Sequence, residues 1–183
     1  MEESRLKQQV RRAARGEEEA AAELFDHYYP RVYRYALSKL GSEQDAQDVA
    51  SEAFAKVLRE LDRFRWKGSG FEAWLFRIAS NLVVDFYRRS GREQVRDTRA
   101  EMEEADPMTP ETVFAQTELR GELDGMLAEL SDDQREVLLL RFSAGLDTHE
   151  VGRVMGRNAN AVRQLQFRAL DALRTRMSDV GSI

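Results

Sequence analysis

Cysteine is absent from the 183 residues, which excludes disulfides, thiolate metal sites and a cysteine nucleophile. Histidine occurs only at His27 and His149, far apart and without a partner at ligand spacing. Two surface or boundary histidines is the expectation there, and no metal is expected. No phosphate-binding glycine loop and no nucleophile–base pair is present, so neither a catalytic residue nor a cofactor is expected. No apolar run approaches the roughly 20 residues that a bilayer span needs. The N-terminal MEESRLKQQVRRAARGEEE is charged throughout and has no apolar core of a signal peptide. These absences lead us to expect a soluble, cytoplasmic protein without membrane insertion. Proline is also scarce, with three residues, and glycine numbers eleven.

What remains is rich in Leu, Ala, Glu and Arg, strong helix formers that point to an all-α chain. Hydrophobic residues make up 42%, enough for a packed core. The net charge of −5 conceals a pattern. Residues 1–16 sum to +3, 17–62 to −6, 63–92 to +5, 93–137 to −10 and 138–183 to +3. Basic and acidic zones alternate, as in a protein that meets DNA in two places and a basic protein surface elsewhere.

Apolar residues at helical spacing run from Ala21 through Leu24, Phe25, Tyr28, Val32, Tyr33 and Leu37 to Leu40. Pro30 inside this run should kink the helix or begin a second one. Gly41 closes it. Ser42 then caps the next helix, with Asp45 three residues on. The stripe Ala46, Val49, Ala53, Phe54, Val57, Leu58 and Leu61 should be buried. Glu43, Asp45, Asp48 and Glu52 mark the opposite, acidic face near the helix N-terminus, where the dipole favours them. A loop-like segment, FRWKGSG, precedes a helix with Phe71, Trp74, Leu75, Ile78, Leu82 and Phe86 inward. Residues 93–108 lose periodicity and read as an acidic interdomain linker. Thr109-Pro110-Glu111 looks like a further helix start. Three short helices should follow. Capping boxes open two of them, at Ser131–Gln134 and Asp147–Glu150, and Asn158 or Asn160 caps the last. Val162, Leu165, Ala169, Leu170 and Leu173 should be its buried stripe. Whether residues 1–16 form a helix stays open.

Two constellations carry chemistry. At 147–176 a capped helix, a glycine turn and a second helix with polar residues near its start make a helix-turn-helix. Asn160, Arg163, Gln164, Phe167 and Arg168 should be exposed there. Arg bonds guanine bidentately, Gln or Asn bonds adenine, and Phe167 can lie against a thymine methyl or a sugar. Arg153 and Arg157 would hold phosphates. At 63–92 aromatic residues interleave with basic ones. Aromatic faces stack on unpaired bases while cations hold the backbone, which is what capture of a melted strand requires. Phe71 and Trp74 fit the core, which leaves Trp66 and Lys67 as candidates for stacking and backbone contact.

The run DAQDVASEAF at 45–54, with FEAWLFRIASNLVVDFYRR at 71–89, resembles the sigma-2 domain of extracytoplasmic-function RNA polymerase sigma factors. EVLLLRF, THEVGRVMG and AVRQLQFRALDALR resemble their sigma-4 domain. The resemblance covers nearly the whole chain in the family's order. It implies two small helical domains, 1–92 and 109–183, joined by the linker at 93–108. It implies that Asp45, Asp48 and Glu52 face the β′ subunit of core bacterial RNA polymerase, whose β subunit is also a partner. Trp66, Lys67, Arg77, Asn81, Arg88 and Arg89 would meet the melted downstream promoter element. Arg153, Arg157, Asn160, Arg163, Gln164, Phe167 and Arg168 would meet the upstream one. An anti-sigma partner covering these faces is also implied. The chain departs from the family at Ser51, where Gln is usual, at Ser131, where Pro is frequent, and at Val151-Gly152, where Ile-Ala is common. Gly152 inside a helix should cost about 1 kcal/mol against Ala. The competing expectation is a helix-turn-helix regulator that binds duplex DNA without polymerase.

Overall fold

The computed structural model describes residues 3–66, 70–91 and 125–180, and every described element is helical. The first half contains α1 (Glu3–Ala13), α2 (Glu18–Leu40), α3 (Glu43–Glu60), a 3-10 turn (Leu61–Arg63) and α4 (Phe71–Ser90). The second contains α5 (Asp132–Leu138), a π turn (Leu139–Ser143), α6 (Thr148–Met155) and α7 (Ala159–Val180). The linker expected at 93–108 and the helix start at Thr109 lie outside the described residues.

Helix α2 is the axis of the first half and packs against α1, α3 and α4. It is one helix and does not restart at Pro30. Proline removes the donor to the carbonyl of Asp26, and both residues are exposed, so the defect stays out of the core. Gly41 ends α2 at φ 68°, and its N–H donates to the Leu37 carbonyl at 2.9 Å. The oxygen of Ser42 accepts from the Asp45 N–H, which opens α3 with half of a capping box.

Tyr28, Tyr35, Phe71 and Phe76 are fully buried. Burying a large apolar side chain contributes roughly 1.5–3 kcal/mol. A buried tyrosine adds the demand for a hydroxyl partner. Tyr28 donates to Glu72 at 2.9 Å, Tyr35 to Glu136 at 2.6 Å, and Tyr87 to the Lys39 carbonyl. Three side chains expected inside are not. Phe25, Leu58 and Leu170 are exposed, although one edge of Phe25 meets Phe54 of α3 at 5.1 Å.

Both sequence-expected boxes of the second half form, Ser131 with Gln134 and Asp147 with Glu150. Such caps contribute about 1 kcal/mol each. The π turn had no counterpart in the sequence reading. The Ala144 N–H reaches the Leu139 carbonyl at 3.0 Å, one residue further than an α-helix allows. Leu139 and Leu140 stay buried while Phe142 turns outward. Asn158, not Asn160, caps α7, accepting from the Ala161 N–H at 2.8 Å.

Gly152 is no defect of α6. A Cβ there would stand 2.5 Å from the Arg157 carbonyl oxygen. The glycine lets the turn fold back, and the Arg157 N–H donates to the Gly152 carbonyl at 2.8 Å. Propensity alone suggested the opposite sign.

Candidate nucleic-acid interface

The acidic face is set by the register of α3. Asp45 is half-buried, while Asp48 and Glu52 are exposed one turn apart on the same side. Glu52 lies 3.8 Å from Arg89 at the far end of α4. Leu82, Asp85 and Arg88 complete a shallow depression around that pair. The middle of the acidic face of α3 therefore adjoins the basic end of α4.

The aromatic segment forms a chain of rings. Trp66 meets Phe64 edge-on at 5.2 Å, Phe64 lies 4.8 Å from Trp74, and Phe71 lies 5.4 Å from Tyr28. Its inner members are core, as the spacing suggested. Trp66 is the half-buried outer one, with the ammonium of Lys7 5.4 Å from its ring. Lys67 lies outside the described residues. Arg77, Asn81 and Arg88 are exposed along one side of α4. They cover about 16 Å of axis at 1.5 Å per residue. Arg88 stands 3.5 Å from Asp85.

On α7, Asn160, Arg163, Gln164, Phe167 and Arg168 are all exposed, Phe167 at 70%. Arg163, Gln164, Phe167 and Arg168 line one open groove. A phenylalanine so exposed, flanked by two guanidiniums and an amide, offers bidentate donors and an apolar face that suit base edges. Arg157 is exposed but paired with Asp133. Arg153 is half-buried, and its Nε has no hydrogen-bond partner.

The structure brings together two residues that the sequence assigned to separate sites. Arg77 of α4 donates to the backbone carbonyl of Arg153 on α6. This contact belongs to an interface between the halves, where α2 and α4 meet the π turn and α6. Arg31 donates from Nε to the Ala144 carbonyl at 2.8 Å and from Nη1 to Glu72 at 2.8 Å. Glu136 accepts from Tyr35 and, at 2.7 Å, from Lys39. Glu72 and Glu150 share a hydrogen bond across the boundary. Burial and the Glu72 partner push Glu150 up to about 7. Burial works against charge on Glu72 too, yet hydrogen bonds from Glu150, Arg31 and Tyr28 hold it below the usual range. The shared proton therefore sits on Glu150.

Sequence reading missed this interface. Arg31, Tyr35, Lys39, Glu72 and Glu136 follow no motif. Their only signal is polarity beside an apolar stripe. Glu150 was noticed solely as a capping residue. Among the described residues, no group of three or more His, Asp or Glu is placed to hold a metal, and no helix is long and apolar enough to cross a membrane.

Comparison with known proteins follows the same division. The model of sigma-70 region 2 matches residues 24–93, and that of sigma-70 region 4 matches 126–175. Among the relatives is the ECF RNA polymerase sigma factor BldN of Streptomyces coelicolor, 36% identical over 96% of this chain and 67% of that one. Another is the ECF RNA polymerase sigma factor SigW of Bacillus subtilis, 27% identical over 96% of this chain and 98% of its own. Among solved structures, CnrH in complex with the cytosolic domain of CnrY superimposes with a TM-score of 0.68 at 25% identity, covering 93% of this chain and 96% of that chain.

Proposed function

Because the chain belongs to the extracytoplasmic-function sigma factors of the sigma-70 family, we propose the following division of labour for its surfaces in transcription initiation. Asp45, Asp48 and Glu52 dock on the β′ subunit of core RNA polymerase. Carboxylates on an exposed helix face suit a basic protein surface and repel DNA. Trp66 stacks on an unpaired base of the downstream promoter element, and Lys67, Arg77, Asn81, Arg88 and Arg89 hold that strand. Asn160, Arg163, Gln164, Phe167 and Arg168 read the upstream element in the major groove, with Arg153 and Arg157 on phosphates. The chain acts in the cytoplasm with polymerase and promoter DNA. It supplies binding energy and no bond chemistry. Residues 1–92 and 109–183 serve as its two working units, joined by 93–108.

The observation that carries this reading is the pairing, in one chain, of a base-reading helix at α7 with a separate aromatic and basic surface at Trp66 and α4. A regulator of duplex DNA has no use for the second surface. The Arg77–Arg153 contact adds a condition, since both residues are assigned to DNA and are bonded to each other here. Both elements are reached together only when the halves part. A partner that covers the same faces would hold the factor silent, and an anti-sigma protein is that partner. The similar structure of CnrH was solved in complex with another protein segment, the cytosolic domain of CnrY.

The test is run-off transcription with purified core bacterial RNA polymerase on a promoter library, with and without the protein. Site-specific, protein-dependent transcripts are expected. Arg163→Ala should relax upstream selectivity, at about 1–3 kcal/mol for one bidentate base contact, and Asn81→Ala should impair melting of the downstream element. Absence of transcripts, together with binding to duplex DNA and no co-migration with core enzyme, would overturn the reading in favour of a polymerase-independent regulator.

A further inference from the structure

Helix α1 lies ahead of the residues matched by the family model, which begin at 24. Its inner face, Leu6, Gln9, Val10 and Ala13, is buried against α2, and Gln9 donates to Glu23. Its outer face carries no large apolar side chain. Glu3, Ser4, Arg5, Lys7, Gln8, Arg11 and Arg12 occupy it, with Arg15 in the turn that follows. That composition excludes an interfacial membrane helix, which needs Trp, Phe or Leu opposite its basic side.

The cations are not equivalent. Lys7 pairs with Glu3, and Arg12 pairs with Glu17 at 2.7 Å and Glu19 at 3.8 Å. Arg11 and Arg15 are exposed and make no ion pair among the described residues. Lys7, Arg11 and Arg15 succeed one another at four-residue steps. That places them on one side of the helix, roughly 6 Å apart along its axis. The Ala14 N–H bonds the Val10 carbonyl at 2.9 Å and the Arg15 N–H the Arg12 carbonyl at 3.0 Å, so Arg15 continues the stripe from the tighter turn that closes α1. The stripe begins at Trp66, because the Lys7 ammonium lies over that ring. Arg63 and Arg65 are exposed beside it on the approach to the same tryptophan. Arg5 points to the opposite flank of α1, well over a quarter-turn from the Lys7–Arg11–Arg15 line.

We propose that α1 is a backbone clamp for the unpaired promoter strand, with Lys7, Arg11 and Arg15 on successive phosphates of the strand that leaves the base stacked at Trp66. The inference rests on the reading of Trp66 given above. A row of cations continuing from an aromatic platform fits a single strand, whose base takes the ring while its phosphates follow the row. Regular spacing of unpaired guanidiniums matches a periodic polyanion better than a folded acidic protein, whose carboxylates have no such repeat. Glu3, by pairing with Lys7, trims the charge at the Trp66 end and leaves Arg11 and Arg15 as the principal contacts.

Holoenzyme assembled from core polymerase and the full chain would be titrated with a fluorescein-labelled oligonucleotide. The probe is the non-template strand of a promoter recovered in the run-off experiment, at several salt concentrations. Each phosphate contact on a single strand contributes about 0.7 to the slope of log K against log salt, so Arg11→Ala with Arg15→Ala should lower that slope by about 1.4. Arg5→Ala should leave it unchanged. Holoenzyme assembly on native gels and the circular dichroism of both variants should match the parent chain. An unchanged slope in the double variant, while Trp66→Ala weakens binding, would sink the clamp and leave the reading of Trp66 standing. If Trp66→Ala is also without effect, the reading of Trp66 fails and the clamp with it. An equal loss from Arg5→Ala would reduce the effect to net charge and overturn the proposal. Loss of holoenzyme assembly in the double variant would overturn it as well, by assigning the stripe to polymerase.

Discussion

Two carboxylates of the second half reach across to the first, and their situations are opposite. Glu136 enters a site prepared for a negative charge. The Tyr35 hydroxyl and the Lys39 ammonium both donate to it, and the ion pair keeps only 13% and 15% of its side-chain surface. Glu150 enters a site that already holds one, Glu72, whose charge is satisfied by Arg31 and Tyr28. The first contact needs no adjustment to close. The second closes fully only with a proton. One interface thus contains a fixed bond and a conditional one, roughly one helix apart. Residue type gives no hint of the difference, since both are glutamates on short helices, Glu136 in the last turn of α5 and Glu150 in the first turn of α6.

The largest effect should come from the fixed bond. Removing one member of a buried pair costs about 3–5 kcal/mol, because the other is left buried and unpaired. Here Lys39 has an escape, as separation of the halves returns it to water. Glu136→Ala should therefore open the interface and leave both halves folded, and the loss cannot exceed the docking free energy. The absence of cysteine permits clean dye labelling at Gln44→Cys and Thr175→Cys. Energy transfer between the two dyes should drop sharply in Glu136→Ala while helix content by circular dichroism stays level. Unchanged transfer would show that the fixed bond does not govern docking, and the contrast drawn above would lose its stronger half.

Gly152→Ala separates the two contacts. The added methyl would meet the Arg157 carbonyl at 2.5 Å, so the turn between α6 and α7 must shift. Overpacking of this kind costs about 1–3 kcal/mol. The shift moves α6, which carries Glu150, and spares α5, which carries Glu136. A lower melting temperature is expected, with the Glu136 bond intact. A rise in melting temperature would favour helix propensity over the close approach.

The same residue marks how far the sequence could be read. Periodicity and caps placed α2, α3, α4 and the helix-turn-helix, because those signals are local. The exposure of Arg163, Gln164 and Phe167 was legible for the same reason, since an apolar stripe implies its opposite face. The acidic triad Asp45, Asp48 and Glu52 was legible too, and it lies on one side of α3. What stayed hidden was non-local. Gly152 looked like a weakness because its crowding comes from five residues onward in a turn. Arg77 and Arg153 looked independent because only the folded chain brings them together. The π turn escaped because one extra residue in a leucine run, Leu138-Leu139-Leu140, leaves no trace in a hydrophobic pattern. α1 was undecided because its apolar face, Leu6, Val10 and Ala13, is narrow and gains its partner only from α2.

The conditional bond should give the smallest and most diagnostic effect, a dependence of closure on pH. The groups that face Glu150 are Glu72 from α4, Arg31 and Tyr28 from α2, Arg153 on α6 itself and Asp147 at its cap, with His27 exposed behind Glu72. In the closed form burial and Glu72 push Glu150 up to about 7. In the open form it titrates as an ordinary solvated carboxylate. A raised value means that the closed form binds the proton more tightly. Its contribution to closure is complete below the open-form value and is lost as pH rises through about 7. One proton limits the change to tenfold in the closed-to-open ratio per pH unit. Energy transfer in the dye-labelled protein should therefore fall as pH rises from the ordinary carboxylate range to about 7, and level off above it. His27 sits lower than an ordinary histidine through burial and Arg31, so its protonation on acidification would oppose closure, the reverse of the Glu150 effect, and cannot mimic it. Glu150→Gln keeps a donor for Glu72 at every pH, and closure in that variant should be flat. Glu72→Gln should flatten it as well, by removing the charge that Glu150 must avoid. A parent chain whose closure ignores pH, or a Glu150→Gln variant that still responds, would mean that the two carboxylates do not share a proton, and the distinction between the two contacts would reduce to Glu136 alone.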